Sequence, residues 1–243
     1  MKISIVTINF NNRGGLRRTL SSLRGQTDRD FESIVIDGGS TDGSQLEQRD
    51  FSDVVSTFVS EKDGGIHDAW NKGIARCSGD LIALLNSGDC YTPDVIETAR
   101  ARTADWGQTA RILCGFTATV VHGQLLKSYT NRLRTNLFAG IGIVHPATFM
   151  TREVYRRIGT YHPIRIASDT DFILRCIRGA VEFVPADFLV LMEAGGVSAR
   201  LRATAFRQYT EALVRHRFCN PLTGRLLASA YGVYRNVLRR SSV

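Results

Sequence analysis

The feature that most constrains the fold is the rhythm of the first 90 residues, where short apolar runs alternate with segments of helical period. Ile3 to Phe10 reads as a buried strand and is followed by a helix from about Gly14 to Leu23. Phe31 to Ile36 is a second strand, after which Thr41 or Asp42 can cap a short helix through Gln48. Val54 to Val59 and Leu81 to Leu85 are the third and fourth strands. Between these two, Ile66, Ala69, Trp70, Gly73, Ile74 and Cys77 make one apolar stripe along a helix. Strands and helices alternating at this spacing build a parallel sheet with helices on both faces. Ligands of such sheets bind beyond the carboxyl ends of the strands. The polar clusters Asn9–Asn11, Asp37–Ser40 and Asn86–Asp89 all fall at those ends, so three loops are expected to meet on one rim.

The second half is less regular. Ile112 to Val121 and Gln124 to Tyr129 form an expected hairpin around His122-Gly123, and residues 130–142 read as a mobile loop. Ile143 to Met150 reads as a strand, with helices from about Arg152 and over Asp169 to Ile177. Val181 to Met192 supplies one or two strands around Pro185, and from Ser198 the chain is helical with a break near Asn220-Pro221. The expected division is an α/β domain over 1–198 and a basic helical extension over 199–243. From Ala194 onward there are nine arginines against one acid, Glu211, so the net charge of +8 resides there and the main body is near neutral. Such a tail suits anionic lipid, nucleic acid or an acidic partner. The five scattered cysteines lack Cys-x-x-Cys spacing and read as reduced thiols of a cytosolic protein. Neither a secretory signal nor a membrane-spanning segment is expected.

Three clusters carry chemistry. In Leu85-Asn86-Ser87-Gly88-Asp89 an acid at the exposed end of a buried strand can hold a divalent cation bridging two phosphates; the bland alternative is a turn bonding its own backbone. In Asp37-Gly38-Gly39-Ser40, two glycines admit a ligand close to the backbone, while Asp37 can accept hydrogen bonds from a base or ribose. In Ser168-Asp169-Thr170-Asp171, one carboxylate can cap a helix and the other act as general base on an acceptor hydroxyl. No Gly-x-Gly-x-x-Gly follows a strand and no Gly-x-x-x-x-Gly-Lys-Ser loop occurs, which disfavours dinucleotide and P-loop chemistry.

Taken in order, these segments resemble glycosyltransferase family 2, inverting enzymes of the GT-A fold. The likeness is to the bacterial branch that builds colanic acid, O-antigen and other exopolysaccharides. It rests on Ser4-Ile5-Val6-Thr7-Ile8-Asn9-Phe10-Asn11, Asp37 to Asp42, Ser60 to Gly73, Leu85 to Asp89, His145-Pro146, Ser168 to Asp171 and Gly195 to Ser198. The resemblance implies a Rossmann-like mixed sheet with helices on both faces and a C-terminal helical extension. It also implies a nucleotide-sugar donor (UDP-, GDP- or dTDP-sugar), with Mn²⁺ or Mg²⁺ on Asp89. Asp37 and the strand end from Thr7 through Asn9 to Asn11 would form the nucleotide pocket; Asp68, Asn71 and Asn86 would border the donor. Asp169 would be the catalytic base that deprotonates the acceptor hydroxyl. Asp37, Asp89 and Asp169 are thus expected to line a common pocket.

Two departures stand out. Asn86 and Gly88 occupy positions where many relatives carry aspartates, and Gly38 replaces a second Asp that can contact the base. The absence of Gln-x-x-Arg-Trp favours transfer of a single sugar over processive polymerisation. His145 is either a donor-site or metal residue or a structural one, whereas Trp70 and Trp106 read as packing and His67 as a solvated helix face. In the tail, Leu222, Leu226, Leu227, Ala230, Tyr231, Val233, Tyr234, Val237 and Leu238 make an apolar band flanked by arginines. It either lies on an anionic membrane, where a lipid-linked saccharide acceptor would be found, or packs on the domain; nucleic acid is not an expected partner. The rival readings are a nucleotidyltransferase that forms nucleotide sugars and a non-catalytic module that binds membrane or polyanions.

Overall fold

The computed structural model describes residues 1–121, 124–130, 133, 140–196 and 200–240. Its centre is a nine-stranded mixed sheet. The parallel part is β1 (Ile3–Asn9) between β2 (Phe31–Asp37) and β4 (Leu81–Leu84), with β3 (Val55–Ser60) outside β2. Beyond β4 lie β8 (Thr148–Thr151), β6 (Arg111–Val121), β9 (Glu182–Glu193) and β5 (Cys90–Tyr91) in that order, and β7 (Gln124–Thr130) pairs with β6. β8 runs antiparallel to both its neighbours and β9 runs parallel to β6.

Side chains alternate across each strand, so the two faces of the sheet found two cores. Ile3, Ile5, Val35, Leu81 and Ala83 pack on one face with α1 (Arg13–Arg24) and α4 (Val95–Thr103). Val6, Ile34, Ile36, Ile82 and Leu84 pack on the other with α3 (Ile66–Ile74), α5 (Arg152–Ile158) and α6 (Ser168–Arg178). The short helix expected after β2 begins as a 3₁₀ turn, Ser44–Leu46, and continues as α2 (Glu47–Asp50). The expected stripe of α3 is the buried one: Ala69, Trp70, Gly73, Ile74 and Cys77 are all inside. Gly73 is required there, since a Cβ would stand 2.2 Å from Val6 Cγ1.

Several expectations need correction. Helix α4 was not foreseen; its Val95, Ile96 and Ala99 are completely buried, but arginines interrupt the stripe. The stretch expected as a strand over 143–150 is a 3₁₀ turn, His145–Ala147, ahead of the short β8. Pro146 accounts for the turn, because it has no N–H for a ladder. The 181–192 stretch is one strand, β9, and Pro185 is tolerated beside a register shift between Cys114 and Phe116. The tip of the hairpin at His122-Gly123 and most of the loop expected over 130–142 lie outside the described residues. All five cysteines are free thiols.

The extension folds as α7 (Arg202–Arg215) and α8 (Pro221–Arg240), and Asn220 caps α8 by accepting from Thr223 N at 2.8 Å. Helix α7 packs on the α/β body: Ala212 and Leu213 are completely buried in the α3–α5–α6 core. Residues 197–199, where the expected boundary falls, lie outside the described residues.

Candidate active site

The rim forms where the parallel strands end. Asp37, the last residue of β2, exposes no surface and accepts four bonds. These come from Asn9 Nδ2 at 2.8 Å, Ser40 Oγ at 2.5 Å, Ser40 N at 2.9 Å and Ser60 Oγ at 2.6 Å. Burial pushes its carboxyl upward, but the bonds from Ser40, Ser60 and Asn9 outweigh that and hold it below the ordinary aspartate range. Asp37 is therefore held rigidly at the rim by its neighbours. Thr7 is also completely buried, and its Oγ1, like Asn9 Oδ1, has no hydrogen-bond partner. Asn11 turns the chain with a left-handed φ of 47° and accepts from Thr41 N at 2.8 Å.

The acidic turn is cross-tied from three directions. Trp70 Nε1 of α3 donates to Asn86 Oδ1 at 3.2 Å, and Asn12 Nδ2 donates to Ser87 O at 3.0 Å. Thr19 of α1 accepts from Gly88 N at 2.9 Å and donates to Asp89 O at 2.7 Å. Gly88 has φ 107°, a conformation that favours glycine, and this fits the loss of an aspartate there. Asp89 is only 8% exposed. Burial raises its carboxyl to about 7; the Glu193 backbone N–H opposes the shift and the Glu193 carboxylate adds to it. Glu193 ends β9, pairs with Arg18 of α1, and its Oε2 would stand 3.1 Å from a Cβ at Gly88. Two carboxylates thus crowd the turn where the sequence showed one. No group of three His, Cys, Asp or Glu side chains suited to a metal occurs among the described residues. Two hard oxygen donors still fit a Mg²⁺- or Mn²⁺-type ion, whose remaining positions are commonly filled by phosphate and water.

Across α3 lies α6, which carries Asp169. Trp70 stacks on His145 with centroids 4.8 Å apart, and His145 Nε2 meets Tyr161 Oη at 2.5 Å. Burial lowers the His145 imidazole to about 3, so it is neutral, and its Nδ1 has no hydrogen-bond partner. Asn71 is taken up by structure: it bonds both the carbonyl and the N–H of Tyr161 at 2.9 Å. Asp68 accepts from Gly64 N at 2.9 Å and pairs with Lys72 at 3.3 Å. Asp169 is half-buried and accepts from Thr170 N at 2.7 Å. Burial pushes its carboxyl above the usual range, and its charge is felt by Tyr161.

Neither carboxylate of that motif caps α6, contrary to expectation; the cap position is Ala167, without a side-chain bond. Asp171 is completely buried among His162 at 2.9 Å, Arg175 at 3.2 Å, Arg215 at 3.0 Å and His216 at 2.7 Å. Contacts thus run from the acidic turn through Asn86, Trp70 and Tyr161 to the Asp169 segment. Sequence reasoning missed Glu193, which lies far along the chain from its partner. It also missed Phe10, 65% exposed at the end of β1. A Cβ at Gly38 would stand 3.2 Å from Phe10 Cδ2 and 2.5 Å from Asp63 Oδ2, so the glycine leaves room for both.

A family model described as glycosyl transferase family 2 matches residues 4–159, well over half the chain. The chain belongs to glycosyl transferase family 2. The enzyme is 36% identical over 178 residues to an uncharacterized glycosyltransferase of Mycobacterium tuberculosis, covering 71% of this chain and 68% of that one. It is 28% identical over 189 residues to a PGL/p-HBAD biosynthesis glycosyltransferase of Mycobacterium bovis, at 71% and 68% coverage. Among solved structures, the mannosyltransferase PcManGT of Pyrobaculum calidifontis with GDP-Man and Mn²⁺ superposes with a TM-score of 0.68 at 17% identity. That match covers 94% of this chain and 69% of that one. S. aureus TarS 1–349 with UDP-GlcNAc gives 0.67 at 14% identity, covering 88% and 67%. The match to TarS in another crystal structure covers 40% of that chain. The fold is the Rossmann-like GT-A arrangement, and the family is one of glycosyl transferases.

Proposed function

We propose that this glycosyltransferase performs a single inverting transfer from a nucleotide sugar, assisted by a divalent cation, onto a lipid-linked saccharide at the cytoplasmic face of an anionic membrane. The observation that carries the reading is the paired carboxylates of Asp89 and Glu193 joined, through Trp70 and Tyr161, to the half-buried Asp169.

The nucleotide sits on the rim, its base against the exposed ring of Phe10 and beside Gly38 and Asp63. Thr7, Asn9, Asn11 and Asp37 set the shape of that pocket. Asp68 and Asn86 border the donor, while Asn71 holds the Tyr161 segment in place. Asp89 and Glu193 would hold Mn²⁺ or Mg²⁺, which when bound neutralises charge on the departing diphosphate. His145, neutral and enclosed, serves as packing between Trp70 and Tyr161 and not as a metal ligand. Asp169 accepts the proton of the acceptor hydroxyl as that oxygen attacks the anomeric carbon from the face opposite the diphosphate. A carboxyl raised by burial is a stronger base once ionised, which suits the task.

Support for a membrane-borne acceptor comes from α8. Leu222 and Leu226 are 67% and 62% exposed one turn apart, with Arg225 beside them. Among the described residues no helix is long and apolar enough to cross a membrane, so the helix would lie along the surface.

The test is thermal unfolding with UDP, GDP or dTDP, each with and without Mn²⁺. One nucleotide is expected to raise Tm by several degrees when Mn²⁺ is present and by much less without it. Absence of a shift with any of them contradicts the reading.

A further inference from the structure

We infer that helix α7 of the C-terminal extension positions the base, with Gln208 as the residue that sets the direction of Asp169; the inference rests on Asp169 being the base. Helix α6 starts without a side-chain cap of its own, since Ala167 at the cap position offers none. Its entry is held from outside. Gln208 Oε1 on α7 accepts from Ile166 N at 3.0 Å and from Ala167 N at 3.2 Å, the two amides just ahead of Ser168 and Asp169. One side-chain oxygen therefore fixes two consecutive peptide planes immediately before the base. Ser168 Oγ, donating to His162 O at 2.9 Å, closes the same loop from the other side.

A second attachment lies two residues beyond the base. Asp171 is completely buried and receives Arg215 and His216 from the end of α7, together with His162 and Arg175. Asp169 thus lies between two points, the 166–167 backbone and the Asp171 carboxylate, and both are gripped by α7. By contrast, the bonds to the Asp169 carboxylate come from its own segment, from the backbone and side chain of Thr170 and the Asp169 N–H. Its direction toward the acceptor hydroxyl is inherited from the backbone of the α6 entry. The match to the family model ends at residue 159, so both the loop and its clamp belong to the part of the chain beyond it.

Displacement of a reacting group by about 1 Å can cost a hundredfold in rate. Freed amides at 166 and 167 would let the entry of α6 shift without disturbing the acidic turn. The experiment compares Gln208→Leu, Gln208→Glu and Asp169→Asn in sugar transfer, in donor KM and in nucleotide-induced thermal shift. Q208L is expected to lower kcat about 10- to 100-fold, with donor KM and the nucleotide shift unchanged. Q208E retains an acceptor for both amides and is expected to recover most of kcat. Wild-type kcat in Q208L, or loss of nucleotide binding in parallel with kcat, overturns the inference. If D169N transfers sugar at the wild-type rate, the reading of Asp169 as base fails and takes the inference with it; D169N inactive beside fully active Q208L sinks the inference alone. Should Q208L not fold, Arg215→Met carries the same comparison, because it leaves Asp171 three of its four partners; unchanged kcat there counts against the inference.

Discussion

Single side chains in this enzyme divide between those that face the cleft and those spent on holding it. Asp37, a carboxylate at a strand end beside two glycines, is held by four bonds from Asn9, Ser40 and Ser60. His145 is a parallel case and gives a prediction with a definite sign. Its folded value is about 3, below the ordinary histidine value near 6.5. Between those values the unfolded chain takes up a proton that the folded chain refuses. Its contribution to stability is therefore complete above pH ~6.5 and is lost as pH falls toward ~3, at about 1.4 kcal/mol per pH unit. Urea unfolding of wild type and His145→Gln at pH 7 and pH 5 measures this. The variant should lose less stability over that interval than wild type, by roughly one proton's linkage; equal losses contradict a neutral buried imidazole.

At the level of elements, the legible parts were those with one dominant period. Strands β1, β2 and β4 were readable because their side chains alternate between two apolar cores, and α3 because its stripe runs unbroken from Ile66 to Cys77. Where two signals competed, the reading failed. Arg100 and Arg102 masked α4, although Val95, Ile96 and Ala99 are buried, and Pro146 turned an apolar run into a 3₁₀ turn. The candidate site divides along the same line. Asp89 and Asp169 stand in local motifs, while Glu193 and Gln208 act through contacts to distant parts of the chain that no window of sequence displays. Helix α8 is the element with a prediction of its own. Sedimentation with vesicles containing anionic phosphatidylglycerol should retain the wild-type enzyme, and Leu222→Gln/Leu226→Gln should reduce binding at least fivefold. Binding unchanged by both substitutions, or equal binding to neutral vesicles, contradicts a surface-lying α8.

For the molecule as a whole, function follows from how a parallel half-sheet and a mixed half-sheet share β4 and β8. The parallel half ends in the rim that carries Asn9 and Asp37, and the mixed half, through β9, brings Glu193 to the acidic turn. Helices α3 and α6 then span the two, carrying Trp70 and Asp169, and α7 fastens α6 from outside. The account separates two tasks, holding the diphosphate at Asp89 and activating the acceptor at Asp169. The measurement that probes this separation most directly is the Mn²⁺-dependent thermal shift by nucleotide in Asp89→Ala and Asp169→Ala, with sugar transfer followed in parallel. D89A is predicted to lose both the shift and transfer. D169A is predicted to keep the shift while transfer falls by about 100-fold or more. The same pattern in both variants, whether both shifts are lost or both kept, would contradict the account.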